Sequence, residues 1–269
     1  MNTDTQELSV IIPVYNGERF IAQAVASAQH LSPRVAETIV VDDGSTDATA
    51  RVVKGLAGVR YVYQTNQGPA AARNHGFRIS QGNLLCFLDA DDRLTGNKNE
   101  IQFPMLAENR ALDIVIGFSQ RVVIARWDGA EPVYNEIGDP VFYLHLGSAI
   151  IRRTVFERVG LFDEHLAVAP EHRSTAAVGE EVEWYLRAKE SGIRMRFHSE
   201  VMQYCLRHDR NVTLQRKVMN QYLVRIFKRS LDRRRSRPVG TASISLDWSD
   251  ENSCPPPRSP RLGWRLNPF

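Results

Sequence analysis

Neither of the two familiar glycine-rich phosphate loops is present in this 269-residue chain. G-x-G-x-x-G does not follow the first apolar segment, and G-x-x-x-x-G-K-[ST] occurs nowhere. Both absences count against a dinucleotide oxidoreductase and a P-loop NTPase, which cradle phosphate on the backbone of such loops. Long apolar runs are also missing, and no segment approaches the ~20 residues that a membrane-spanning helix needs. The N-terminus, Met-Asn-Thr-Asp-Thr-Gln-Glu, is polar and acidic, and Pro13 interrupts the apolar run behind it, so it does not read as a signal peptide. Cys86, Cys205 and Cys254 are odd in number and lack metal-ligand spacing, which points to a reducing compartment without a disulfide framework. A net charge of +3 is too small to indicate nucleic-acid binding. The expectation is a cytoplasmic protein, or one peripheral to the inner face of the membrane.

What is present is an ordinary globular composition, 43% apolar and 24% charged, in a length that suits one large domain or one domain with a tail. Leu8 to Val14 and Thr38 to Val41 are apolar runs of strand length, as buried parallel strands require. Between them Phe20, Ile21, Ala24, Val25 and Ala28 recur at helical spacing. A third strand is expected at Val59 to Tyr63, an Ala-rich helix from Gly68-Pro69 to Ile79, and a fourth strand at Leu84 to Leu88. This alternation predicts an α/β fold with a Rossmann-like, mainly parallel sheet flanked by helices. The second half reads as mixed: helix at Asn97 to Glu108, one long strand or two at Ile114 to Ile124, a strand within Leu144 to Arg153, helices at Thr154 to Val159 and Glu180 to Ser191, and a strand within Met195 to Leu206.

In such sheets ligands bind beyond the carboxyl ends of the strands. The fourth strand ends there in Asp89, Asp91 and Asp92, three carboxylates within four positions. Such a cluster suits a hard divalent cation, and equally a solvated acidic turn. Asp43 can accept a hydrogen bond from a nucleobase imide or serve as a turn former beside Gly44, and Tyr15 can lie against a base or be a half-buried aromatic. Glu180, Glu181 and Glu183 open a helix, where acids suit the helix dipole; one of them is a candidate general base. Glu183 and Arg187, four apart, are expected as a surface pair. Arg207 and His208 close a strand and offer groups for a diphosphate or a metal. Trp184, Phe197 and Tyr222 read as packing residues.

Four segments, Val10-Ile-Ile-Pro-Val-Tyr-Asn-Gly17, Val40-Val-Asp-Asp-Gly-Ser-Thr-Asp47, Gly68-Pro-Ala-Ala-Ala-Arg-Asn-His-Gly76 and Phe87-Leu-Asp-Ala-Asp-Asp92, resemble the successive motifs of glycosyltransferase family 2. Gly147-Ser148, Val159-Gly-Leu-Phe-Asp-Glu164 and Glu180-Glu181 before Trp184 and Arg187 continue the series in order, so that it spans roughly Leu8 to Asn211. The resemblance implies a GT-A fold and an inverting, hexosyltransferase-like enzyme. Such an enzyme uses a nucleotide-diphospho-sugar, with a UDP-sugar the expected donor, and works in polysaccharide or glycoconjugate synthesis. It implies nucleotide binding at Pro13, Tyr15, Asp43, Gly68, Asn74, Asp89, Ala90 and Asp91, with Asp89 nearest the ribose or sugar. It also implies Mn2+ or Mg2+ at Asp91, Asp92 and His208, and Glu181 as catalytic base. The family usually writes the base pair Glu-Asp, and this chain has Glu-Glu.

The expected division is a domain over 1–228, with a nucleotide-sugar half at 8–112 and an acceptor half at 113–228, then a basic, Pro-rich, disordered tail over 229–269. The segment from Leu214 to Arg235 is basic and helix-patterned, and reads either as a solvated helix packing one apolar stripe or as a peripheral membrane contact. Two other readings of the whole chain stand beside the transferase: a nucleotidyltransferase, and a catalytically weak nucleotide-sugar-binding protein.

Overall fold

Strand β1 (Leu8–Val14) is buried along its whole length, as its near-continuous apolar run requires. It pairs in parallel with β2 (Glu37–Asp43) on one side and β4 (Leu84–Phe87) on the other, and β2 pairs in parallel with β3 (Val59–Gln64). Helices α1 (Ile21–Gln29), α2 (Thr49–Lys54) and α3 (Pro69–Ile79) make the crossovers. Helix α3 lies close on the sheet because Gly76 has no side chain: a Cβ there would stand 2.3 Å from Ile11 Cγ2. These are the computed structural model's features over residues 6–128, 131–142, 144–166, 179–208 and 216–236, with the side chains of 127, 131 and 216–222 excepted.

Beyond β4 the sheet turns mixed, as expected. After β5 (Arg93–Leu94) and α4 (Lys98–Glu108) come β6 (Ile114–Asp128), β7 (Glu131–Glu136), β8 (Ala149–Arg152), α5 (Thr154–Val159), α6 (Glu180–Glu190), β9 (Met195–Leu206) and α7 (Arg216–Arg235). The strand order is β3-β2-β1-β4-β8-β6-β9-β5, with β7 on β6. β8 is antiparallel to β4 and β6, whereas β9 runs parallel to β6. One detail differs from the sequence reading. β6 is one strand that continues to Asp128, with register shifts that let it bend. The strand expected within Leu144 to Arg153 is Ala149–Arg152, and Gly147-Ser148 lie before it in a 3-10 turn at Leu146–Ser148.

The core lies on both faces of the sheet. Leu8, Val10, Ile12, Val25, Leu84 and Phe103 pack on one side, and Ile11, Phe87, Ile116, Phe156, Phe162 and Trp184 on the other. Trp184 is fully buried against Phe156, with ring centroids 4.7 Å apart, and Phe197 meets Phe142 at 4.8 Å. Both are packing residues, as expected; the Tyr222 side chain lies outside the described residues. Helix α7 corrects the expected tail boundary: it runs to Arg235, past 229. Ser230 is fully buried and bonds Glu190 on α6, so the basic stretch has acidic partners and folds onto the domain. Residues 237–269 lie outside the described residues. Among the described residues no helix is long and apolar enough to cross a membrane.

Candidate active site

The ends of β1, β2 and β4 meet at one edge of the sheet because the three strands are parallel neighbours. Pro13 sits opposite Val41, and the next exposed side chain is Tyr15, 39% accessible. Asn16 then stitches this turn to the one after β2: its Oδ1 accepts from Thr46 N at 2.8 Å, and its own N–H donates to Ser45 Oγ at 2.9 Å. Tyr15 thus stands exposed beside a turn fastened to its neighbour.

Asp43 is almost fully buried. Its Oδ1 accepts from Gln64 Nε2 (2.8 Å) and Gln67 N (2.9 Å), and its Oδ2 from Gly68 N (2.8 Å). Burial pushes its carboxyl up, and these three donors oppose that shift. The chain itself therefore supplies hydrogen bonds that the sequence reading assigned to a base. Asp43 fastens Gly68, whose φ of 93° starts α3. Asn74 departs further from expectation. Its amide donates to Phe162 O (2.9 Å) and Glu164 Oε1 (2.8 Å), and its Oδ1 accepts from Phe162 N (3.0 Å). Only 1% exposed and with both ends of its amide engaged, Asn74 clamps the loop after α5 to α3.

The three aspartates after β4 separate by direction. Asp89 is open and bonded to Arg73, and Ala90 is half-buried between the acids. Asp91 Oδ2 meets His208 Nε2 at 2.9 Å, and the His208 ring lies 4.7 Å from that of Phe20. Asp92 points inward and accepts from the Gln203 amide and from Leu206 N (3.0 Å). Burial, then the neighbouring Asp91 and Asp89, push its carboxyl well up. Asp92, expected as a metal ligand, is thus taken up by these two donors; it pins the end of β9 near His208. Among the described residues no group of three or more His, Cys, Asp or Glu side chains is arranged to hold a metal ion.

The centre of the site is a residue that the sequence reading did not single out. Arg73, 4% exposed on α3, reaches Asp89 Oδ1 at 2.7 Å, Glu181 Oε1 at 3.3 Å, and Glu180 Oε1. One guanidinium faces three carboxylates. Its own pKa is raised by Asp89, then Glu180 and Glu181, against the effect of burial. Glu180 is sealed in, whereas the Glu181 side chain keeps 18% exposure and its Oε2 accepts from Leu146 N at 3.3 Å. Burial pushes Glu181 up, to about 8, because a single shared cation does not offset desolvation and two neighbouring acids. The available signal for Arg73 was its place beside Ala70, Ala71 and Ala72, all buried, since a cation on the packed face of a helix needs acids opposite it. His145, just before Leu146, was also missed; burial holds it down to about 4, hence neutral, with its Nδ1 3.3 Å from Cys205 Sγ.

Glu183 and Arg187 do pair, at 2.8 Å, yet not on the surface as expected: the Glu183 side chain is 3% exposed. Arg187 also donates to Val159 O and Leu161 O, so the pair joins α6 to the loop after α5.

The family model for Glycosyl transferase family 2 matches residues 9–160. An uncharacterized glycosyltransferase of Haemophilus influenzae is 38% identical over 107 residues, 38% of this chain and 43% of its own length. The chain thus matches less than half of that relative. Among solved structures, Staphylococcus aureus TarS 1-349 in complex with UDP-GlcNAc superimposes with a TM-score of 0.60 at 19% identity, covering 81% of this chain and 66% of that one. The mannosyltransferase PcManGT of Pyrobaculum calidifontis, in complex with GDP-Man and Mn2+, gives a TM-score of 0.61 at 20% identity, covering 84% and 64%. The likeness shows the GT-A fold.

Proposed function

The chain belongs to glycosyl transferase family 2, and we propose that it moves a sugar from a nucleotide-diphospho-sugar to an acceptor hydroxyl with inversion. The observation that carries this reading is Arg73, which ties the Glu180–Glu181 pair on α6 to Asp89 at the end of β4. A base and a donor edge from distant parts of the chain converge there. Tyr15 stacks on the nucleobase and Asp89 faces the ribose or sugar. Glu181 takes the proton from the acceptor hydroxyl, whose oxygen attacks the anomeric carbon opposite the diphosphate. The C–O bond to the diphosphate breaks, and the electron pair leaves with it. The mixed half from 113 onward supplies the acceptor side.

Asp91 and His208 would hold a divalent cation. A half-exposed carboxylate paired with an imidazole suits Mn2+ better than Mg2+, which prefers oxygen ligands alone; either ion takes further oxygen ligands from water or phosphate. When bound, such an ion would neutralise charge on the departing diphosphate. UDP is the expected nucleotide, consistent with the UDP-GlcNAc that TarS binds, and GDP is the competitor suggested by PcManGT. Thermal-shift titration with UDP, GDP, CDP and ADP, each with Mn2+ or with EDTA, decides both points. A rise in Tm with UDP that EDTA removes is expected; equal shifts with EDTA reject the metal role, and no shift with any nucleotide rejects the donor site.

The outer face of α7 exposes Val224 (68%) and Leu231 (45%) beside Arg225, Lys228 and Arg235. It fits a peripheral contact with anionic lipid. Flotation with phosphatidylserine vesicles should be lost in a Val224→Asp/Leu231→Asp variant, and flotation unchanged by that pair dismisses the contact.

A further inference from the structure

We propose that Arg233, near the end of α7, is a positioning residue for sugar transfer: it holds α6, and with it Glu181, in register against the donor edge. The proposal rests on the reading of Glu181 as base.

Arg233 lies far outside the matched family segment, which ends at residue 160. Its Nη1 donates to Glu183 Oε1 at 2.9 Å and its Nε to Glu190 Oε2 at 2.7 Å. These two acids are seven positions apart, about two helical turns, so one guanidinium grips α6 along its length. Both are nearly inaccessible, with side chains 3% and 2% exposed. Ser230 Oγ adds a bond to Glu190 Oε1 at 2.5 Å, and Arg229 reaches Asp163 at 2.6 Å. Beneath this polar row Ile226 is fully buried against Leu166 and Leu186.

The contacts close a ring around the site. Glu183 stands two residues after Glu181 and is held from both sides, by Arg187 through Oε2 and Arg233 through Oε1. Arg187 continues to Val159 O and Leu161 O. Asn74 grips Phe162 next to them, and the residue before Asn74 is Arg73, which holds Glu180 and Glu181. Rotation of α6 about its own axis would swing Glu181 away from the acceptor oxygen, and Arg233 resists that rotation. A displacement on the order of 1 Å at a reacting group is enough to cost about 100-fold in rate.

The test uses the full chain, UDP release from UDP-N-acetylglucosamine (or from the sugar of whichever nucleotide the thermal-shift screen selects), and calorimetric binding of UDP with Mn2+. Arg233→Met should lower kcat at least tenfold and leave the UDP Kd within about twofold. Arg233→Lys should recover part of kcat. Because Arg233→Met takes one cationic partner from each of two buried carboxylates, a Glu183→Gln/Glu190→Gln/Arg233→Met variant accompanies it. That variant should regain Tm while kcat stays low, as expected of positioning rather than stability. Recovery of kcat together with Tm, or full kcat in Arg233→Met beside an inactive Glu181→Gln, overturns the proposal. Normal turnover by Glu181→Gln removes the base assignment first, and this proposal with it.

Discussion

Turnover by a Glu181→Gln variant should fall by about 100-fold to 10,000-fold, the span that general-base groups contribute, with nucleotide binding nearly unchanged. Glutamine keeps the side-chain volume and can still accept from Leu146 N, so the local turn has no cause to move. What is lost is the ability to take a proton. The wild-type rate carries its own signature. Glu181 is pushed up to about 8, so it acts as a base only once deprotonated, and kcat/KM should climb as pH rises through that value. Stability runs the other way. A carboxyl with a raised pKa in the folded state contributes most below its unfolded value near 4.5, and that contribution is lost as pH rises through about 8. Glu181→Gln should therefore be more stable than wild type at pH 9, with a smaller difference at pH 6. A pH-independent stability difference, or a rate profile flat between pH 6 and 9, would contradict the base assignment.

Replacement of Arg73 by Gln should affect both folding and rate. Breaking a buried ion pair by removing one partner costs about 3–5 kcal/mol, because the other charge is left unpaired. Here Arg73 and Glu180 are 5% and 3% exposed, so solvent offers little relief. Asp89, at 45%, can turn to water and adds little to that cost. Arg73 also lowers the Glu181 pKa, second in size only to burial. Without it, the rising limb of the pH–rate profile should move above pH 8, and activity at pH 7 should drop accordingly. Arg73→Lys should lie between, since an ammonium cannot fork to three carboxylates as a guanidinium can. Urea unfolding and the pH–rate profile are the measurements. An unaltered unfolding midpoint together with an unmoved limb would show that Arg73 is not the hub.

Much of the fold was legible in order along the chain. Mostly apolar runs at Leu8 and Thr38 became parallel strands, Gly68-Pro69 opened α3, and Gly160 and Gly192 closed α5 and α6. The motif series located the edge where Tyr15, Asp89, Asp91 and Glu181 stand. These are local matters: hydrophobic period, turn chemistry and the spacing of acids at strand ends operate within about ten residues of chain.

Which partner each of two neighbouring acids meets is not local. Asp91 and Asp92 are adjacent and chemically identical, yet one meets His208 while the other is claimed by Leu206, 114 residues later. Asn74 looks like a nucleotide contact until Phe162 takes both ends of its amide. Glu183 reads as a surface partner of Arg187 until α7 covers it with Arg233. The sequence by itself settled the layer architecture, the family and the carboxylates present at the edge. Tertiary structure alone decided their partners and burial, because the donors folded against a buried carboxylate come from remote segments.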